Sequence, residues 1–440
     1  MLPFFLILVL SLFVFYSISF MMKKGHDLHA LSFFTLYIYT IFTQIGYVYF
    51  PELSDFYGAY FGPLLFYKYW AFMFFSFVFA FLLYLKINPA IDKKNIFSVR
   101  LSSSNYGEYC FFLFTILIYI ILRLYFSMYR ELFSYGGGNS MGGPWFGIGY
   151  WIFTICTFIL YTLFRDNVNN NKKRILSMIL FFICILFFLQ VSVASGSRSS
   201  IFYFFISLCV YELFPIIKSV NKKKEIFALI VSGFILFNIL GTLREIRSSE
   251  ENINISSLLN YEKSESVIED ANLSTNILLQ DYFLPSHTLF LSMQYNIIDP
   301  LEVMRSNLAN SFVGIDYPFL TTTIMKIGLG QDNDRGVGWA YHTFVEGYNV
   351  IGMSGVFYNA LFWNLAMLLW IRLTQSNNVR FNQVMVGLIA LLVAFTARGQ
   401  FSVFIKFYWL VLLPGSILVL LANNSTIAFF SRMKLVNKNK

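Results

Sequence analysis

Charge is what this chain has least of. Only 12% of its 440 residues are Asp, Glu, Lys or Arg, against roughly 25% in a soluble domain. With 57% hydrophobic residues and a mean hydropathy of +0.63, that scarcity excludes a soluble globular protein. Cysteine is scarce as well. Cys110, Cys156, Cys184 and Cys209 all lie inside apolar runs, so neither a disulfide framework nor a zinc motif is expected. They read as small buried hydrophobes. No His-Glu-x-x-His or comparable metal signature occurs, and no metal site is expected. The net charge of +9 does not point to nucleic acid. The basic residues fall in alternate loops, which is the habit of cytoplasmic loops in membrane proteins.

What the chain has in abundance is apolar runs of about 20 residues, the transmembrane-helix signal. They cover 2–22, 31–50, 63–85, 108–128, 147–164, 175–194, 201–217, 226–243, 345–371, 383–397 and 401–421. The expected fold is all-α: a polytopic integral membrane protein with one large extracytoplasmic loop. Loops after odd-numbered runs are basic, as in Lys23-Lys24, Lys93-Lys94 and Lys222-Lys223-Lys224. This puts the N-terminus outside and the C-terminus in the cytoplasm. Three regions follow: an N-terminal bundle over 1–243, the loop over 244–344, and C-terminal spans with a tail over 345–440. Within the loop, Asn276–Tyr295 and Asn310–Ile327 are apolar but broken by Asp281, Pro285, His287, Asp316 and Pro318. They read as interfacial or re-entrant helices. No internal repeat is evident, which counts against an inverted-repeat transporter.

The outward side is poor in basic residues, and those present are mostly arginine. Arg198 lies in a tight turn between two runs; Arg244 and Arg247 open the long loop; Arg335 precedes a Gly-Val-Gly turn; Arg398 ends a run. A guanidinium is a planar fork of donors suited to bidentate phosphate binding, so this set reads as a diphosphate cradle. Arg123, inside a run, is a functional candidate or a side chain reaching outward with Arg130. His342 and Glu346 are four apart, so on a helix they share a face and form a candidate pair for orienting or deprotonating a hydroxyl. Gln331-Asp332-Asn333-Asp334 lacks the spacing of a calcium loop and reads as a solvated turn.

Four patches then resemble one family. Glu346-Gly347-Tyr348-Asn349-Val350-Ile351-Gly352-Met353-Ser354-Gly355 is similar to a stretch of the Wzy-type O-antigen polymerases, the oligosaccharide repeat-unit polymerases. So are the Gly196-Ser197-Arg198 turn, Leu243-Arg244-Glu245-Ile246-Arg247, and Ala397-Arg398-Gly399. The resemblance implies a GT-C-type glycosyltransferase of about eleven transmembrane helices in the bacterial inner membrane, with its site facing the periplasm. It implies transfer of a growing glycan from undecaprenyl diphosphate to a new lipid-linked repeat unit, without cofactor, and a chain-length regulator as partner. Glu346 and His342 would serve the acceptor hydroxyl, and the five arginines the diphosphate. The competing readings are an O-antigen ligase and a lipid-linked oligosaccharide flippase. A membrane O-acyltransferase would need a histidine within the bundle, and neither His26 nor His29 falls inside an apolar run.

Overall fold

The computed structural model describes residues 2–49, 62–91, 97–100, 106–129, 144–166, 170–195, 199–213, 288–294, 299–312, 342–397, 399–422 and 426–429. They are almost wholly helical. In chain order the N-terminal helices are α1 (Leu2–Lys23), α2 (Asp27–Tyr49), α3 (Pro63–Ile91), α4 (Tyr106–Met128), α5 (Pro144–Asp166), α6 (Asn171–Ser195) and α7 (Ser199–Leu213). After α8 (Pro300–Asn310) come α9 (Val345–Ile351), α10 (Gly355–Arg372), α11 (Val379–Ala397), α12 (Phe401–Phe407) and α13 (Leu413–Ala422). Among the described residues, eight helical stretches are long and apolar enough to cross a membrane, so the chain is a multi-pass membrane protein by build. The run 226–243 lies outside the described residues.

The helices are apolar all round, as a lipid-facing bundle requires. In α1, Ile7, Leu10, Val14, Ser17 and Met21 are buried, one stripe at three- and four-residue spacing. Phe4, Phe5, Leu8, Leu12 and Phe15 on the other faces are exposed. Aromatic edges lock the inner stripes: Phe13 meets Phe74 and Phe81 at 5.8 and 5.9 Å, and Phe33 meets Phe77 at 4.9 Å.

Contacts between helix ends respect the alternation of basic and non-basic loops. At the basic end, Arg165 pairs with Glu212 at 2.7 Å and Lys173 with Glu108 at 2.9 Å. Gln383 donates to the Tyr211 carbonyl, and His26 Nδ1 lies 2.6 Å from the Tyr84 hydroxyl. The two strands β1 (Phe97–Arg100) and β2 (Thr426–Phe429) pair antiparallel, Phe97 opposite Phe429, joining two segments expected on that same side. At the opposite end, Trp70 Nε1 donates to the Leu6 carbonyl at 2.8 Å.

Three expectations change. The run 345–371 is not one straight crossing. Helix α9 ends at Gly352, whose φ is +62°, a conformation glycine adopts without strain. The chain turns through Gly352–Ser354 and α10 comes back alongside α9. Asn359 of α10 accepts from the Gly347 amide at 3.1 Å and donates to the Phe344 carbonyl at 2.7 Å. The same Asn359 side chain donates to Ser76 at 3.1 Å, the middle of α3. Phe344 is therefore at mid-bundle, roughly 20 Å along α3 from Pro63 at 1.5 Å per residue. Tyr348 is next to Lys68, so α9 climbs from mid-bundle toward the non-basic end and α10 alone makes the descent.

The expected interfacial helices are also redrawn. Of Asn276–Tyr295, only residues 288–294 are described; they are helical and mostly buried, with Phe290 stacked on Tyr69 at 4.2 Å. Asn310–Ile327 lies largely outside the described residues, and the helix found nearby is α8, just before it. Finally, His29 is inside the bundle, because α2 begins at Asp27 rather than at Leu31. The ring is fully buried, 5.2 Å from Tyr84 and 5.7 Å from Trp363.

The hairpin depends on two missing side chains. A Cβ on Gly355 would meet the Gly347 carbonyl oxygen at 1.9 Å, and one on Gly347 would meet the Gly355 oxygen at 2.3 Å. Gly355→Ala should therefore cost at least about 2 kcal/mol and sharply lower the yield of monodisperse protein. Gly147→Ala, where a Cβ meets nothing within 4 Å, should leave it unchanged. Size-exclusion of fluorescent fusions measures both, and equal yields would show that the hairpin does not close as described.

Candidate active site

Glu346 is the centre of a buried polar cluster. It is fully inaccessible and takes three donors. The Tyr358 hydroxyl donates to Oε1 at 2.6 Å, the Phe401 amide to Oε2 at 2.8 Å, and the Asn307 side-chain amide to Oε1. Each comes from a different element. Tyr358 is on α10, brought close by the hairpin. Phe401 is the first residue of α12, and its N–H has no partner inside its own helix, so a carboxylate is a natural acceptor for it. Asn307 is on α8.

Helix α8 is built inside out, which explains how it reaches the site. Leu301, Met304 and Leu308 are exposed, while Val303, Ser306 and Asn310 are buried. An apolar outer stripe suits lipid, and the polar inner stripe faces Glu346. Gln400 continues the network, donating to Asn307 Oδ1 at 3.1 Å and to Ser306 at 3.2 Å, and Asn310 donates to Ser306 at 3.1 Å. Sequence reasoning missed α8, although its start is marked. Asp299 caps it by accepting from the Leu301 amide, Pro300 is at the first position, and Glu302 stands in the first turn.

Thr343 ties the foot of the hairpin to the end of α11. Its amide donates to the Ala397 carbonyl at 3.3 Å, and its hydroxyl to the carbonyls of Gly399 and Thr396. The Thr396 and Ala397 carbonyls belong to the last turn of α11, which leaves them without partners inside the helix.

His342 does not share a helical face with Glu346. Helix α9 begins only at Val345, and no hydrogen bond joins the two side chains among the described residues. The imidazole is instead fixed to α2. Its Nδ1 accepts from the Phe344 amide at 3.1 Å, and its Nε2 is 3.1 Å from the Leu36 carbonyl and 3.2 Å from Thr40 Oγ1. A carbonyl only accepts, so Nε2 carries the proton. Both nitrogens of this neutral tautomer are engaged, which leaves no lone pair for a substrate proton.

The five arginines assigned to a diphosphate, Arg198, Arg244, Arg247, Arg335 and Arg398, all lie outside the described residues. Arg398 is flanked by Ala397 and Gly399, both bonded to Thr343. His287, Asp281, Asp316, Asp332 and Asp334 also lie outside. Arg123 is satisfied locally: it donates to Gln190 and stands 6.0 Å over the Phe187 ring. Cys156, Cys184 and Cys209 are buried as expected, whereas Cys110, on an outward face of α4, is exposed; all four are free thiols.

Two further polar groups escaped sequence reasoning. Lys68, the one charged residue in the half of α3 nearer the non-basic end, donates to the Tyr348 hydroxyl at 2.9 Å. Gln44, one turn beyond Thr40 on the same face of α2, is fully buried, and among the described residues neither amide atom is bonded. Replacing it by the apolar Gln44→Leu removes two unsatisfied groups, so the unfolding temperature in detergent should rise by about 1–2 °C. A fall of several degrees would show that the amide has a partner in the folded protein.

Comparison of the chain with family models, with curated proteins and with solved structures returns no match.

Proposed function

We propose that the protein is a surface-polysaccharide polymerase of the O-antigen type: a GT-C-like glycosyltransferase acting on undecaprenyl-diphosphate-linked oligosaccharide at the periplasmic face of the inner membrane. The observation that carries this reading is Glu346. It belongs to the stretch that resembles such polymerases, and it is a carboxylate inside a membrane bundle, held on three donors at the foot of a re-entrant hairpin. An ionisable side chain at such depth is expensive and marks function by default.

In this reading the acceptor hydroxyl oxygen attacks the anomeric carbon of the donor glycan. The bond from that carbon to the diphosphate oxygen breaks, and the diphosphate leaves with the electron pair. Glu346 takes the hydroxyl proton. Tyr358, Asn307 and the Phe401 amide fix the carboxylate's orientation, so that it need not reorganise as the proton moves. His342 is assigned as a positioning residue, since its ring nitrogens bind α2 to the hairpin. Arg198, Arg244, Arg247, Arg335 and Arg398 are assigned to the leaving diphosphate, whose developing charge guanidiniums stabilise. A chain-length regulator is the expected partner.

A deletion strain should display glycan of single repeat units only on a gel. Complete loss of lipid A–linked glycan would point to a ligase, and retention of the lipid-linked unit on the inner leaflet to a flippase. Glu346→Gln, which turns an amide toward donors already present, should reduce long chains at least roughly 100-fold at unchanged protein level. Arg198→Ala and Arg247→Ala should each abolish long chains while the protein still inserts; full-length polymer from both would remove the arginines from the diphosphate. The burial of His29 supports a membrane O-acyltransferase as second reading, for which the deletion strain makes full-length glycan lacking an acyl group.

A further inference from the structure

Lys68 is misplaced for a residue that merely anchors a helix. A lysine near the end of a span ordinarily runs its ammonium outward to the headgroups. This one turns inward. Its Nζ is 2.9 Å from the hydroxyl of Tyr348 and 5.3 Å from the centre of the same ring. Tyr348 is on the re-entrant helix, only 7% exposed, with its ring edge-on to Phe72 at 5.5 Å.

The pair has more donors than acceptors and no anion. An ammonium has three N–H groups and spends one on Tyr348. The tyrosine oxygen accepts that bond, so its own O–H is free to donate elsewhere. Among the described residues, neither side chain has a carboxylate partner or any other hydrogen bond. Two N–H groups, one O–H group and a full positive charge are thus left half-buried beside an aromatic wall, at the membrane end where Glu346's helix emerges. Buried charges are ordinarily paired. An anion with several acceptor oxygens would match these donors.

We propose that Lys68 and Tyr348 form a binding site for a phosphate group carried by a lipid. Lysine binds phosphate as a point charge, and the tyrosine O–H adds a directed donor. Both sources of that chemistry are amphiphiles in the same leaflet: the diphosphate of a polyprenyl-linked substrate, or a phospholipid headgroup. Its assignment to the substrate's diphosphate rests on the glycosyl-transfer reading; the phosphate site itself does not. The site would place a phosphate against α9, two residues along from Glu346.

The test titrates full-length protein in detergent by native mass spectrometry with three probes: geranylgeranyl diphosphate, geranylgeraniol and phosphatidylglycerol. Wild type should bind the diphosphate. Lys68→Met should weaken that binding at least 10-fold and Tyr348→Phe several-fold, while Lys68→Arg stays within about 3-fold. Geranylgeraniol binding should ignore all three variants. Lys68-dependent binding of the diphosphate in preference to phosphatidylglycerol supports the substrate as the source, and equal Lys68-dependent binding of both supports the headgroup. Unchanged affinity of Lys68→Met for both phosphate probes overturns the site. Because turnover is not needed, the two readings fail separately. Full-length glycan from the deletion strain, with Lys68-dependent binding intact, would sink the polymerase and leave the phosphate site.

Discussion

One carboxylate holds the centre of this bundle together. Glu346 accepts from α8, α10 and the first amide of α12 at once, so three elements distant in sequence converge on two oxygen atoms. In an interior of low dielectric each such bond is strong, and each donor left unmatched is costly. The three donors therefore fix one another's positions through the carboxylate. The polar inner stripe of α8, the register of α10 against α9 and the start of α12 all follow from it. Gln400 and Ser306 extend the network and leave Asn307 both donating and accepting.

That carboxylate reaches mid-bundle only because the chain folds back. The close approach of Gly347 to Gly355 lets two backbones touch, and Gly352 supplies the left-handed turn between them. Glu346, Gly347, Gly352 and Gly355 thus form one device: a carboxylate, two contact points and a hinge. The Asn359 side chain then bonds both Phe344 and Ser76, which sets the depth of the hairpin against α3. His342 and Thr343 pin its foot to α2 and to the end of α11. The two ends of the bundle are built differently. The basic end is closed by ion pairs and a short strand ladder. The other end holds the hairpin turn and the donor-rich pair of Lys68 and Tyr348.

The helical, multi-pass architecture was legible because it depends on composition. Runs of apolar residues long enough to span a bilayer have no other common use, and basic loops order the ends. Glu346 was singled out in the sequence by its spacing from His342 and by the resemblance of its stretch, and the structure makes it the centre of a buried polar cluster. That environment was not legible in the sequence. Hydropathy measures length and apolarity and is blind to direction, so a seven-residue helix, a turn and an eighteen-residue helix read as one span. Nothing in the sequence marked Asn307 or Gln400, whose role depends on which groups α8 and the start of α12 bring together. Lys68 was lost because a single charge barely alters an apolar window. His29 fell two positions outside an apolar run, and only the packing of Tyr84 and Trp363 buries it.

By itself, then, the sequence determined that the chain is a helical, multi-pass membrane protein, and where most of the described apolar helices lie. Those properties are local: each follows from the side chains of one segment and their preference for lipid or water. Tertiary structure alone decided that the stretch around Glu346 doubles back to mid-bundle, and that Glu346 meets Asn307, Tyr358 and Phe401. It alone decided that His342 binds α2 rather than its neighbour four residues on. Those outcomes hang on whether two glycines can touch and on which donors stand within 3 Å of a buried oxygen. Such distances are set by the packing of helices far apart in the chain, and no single segment encodes them.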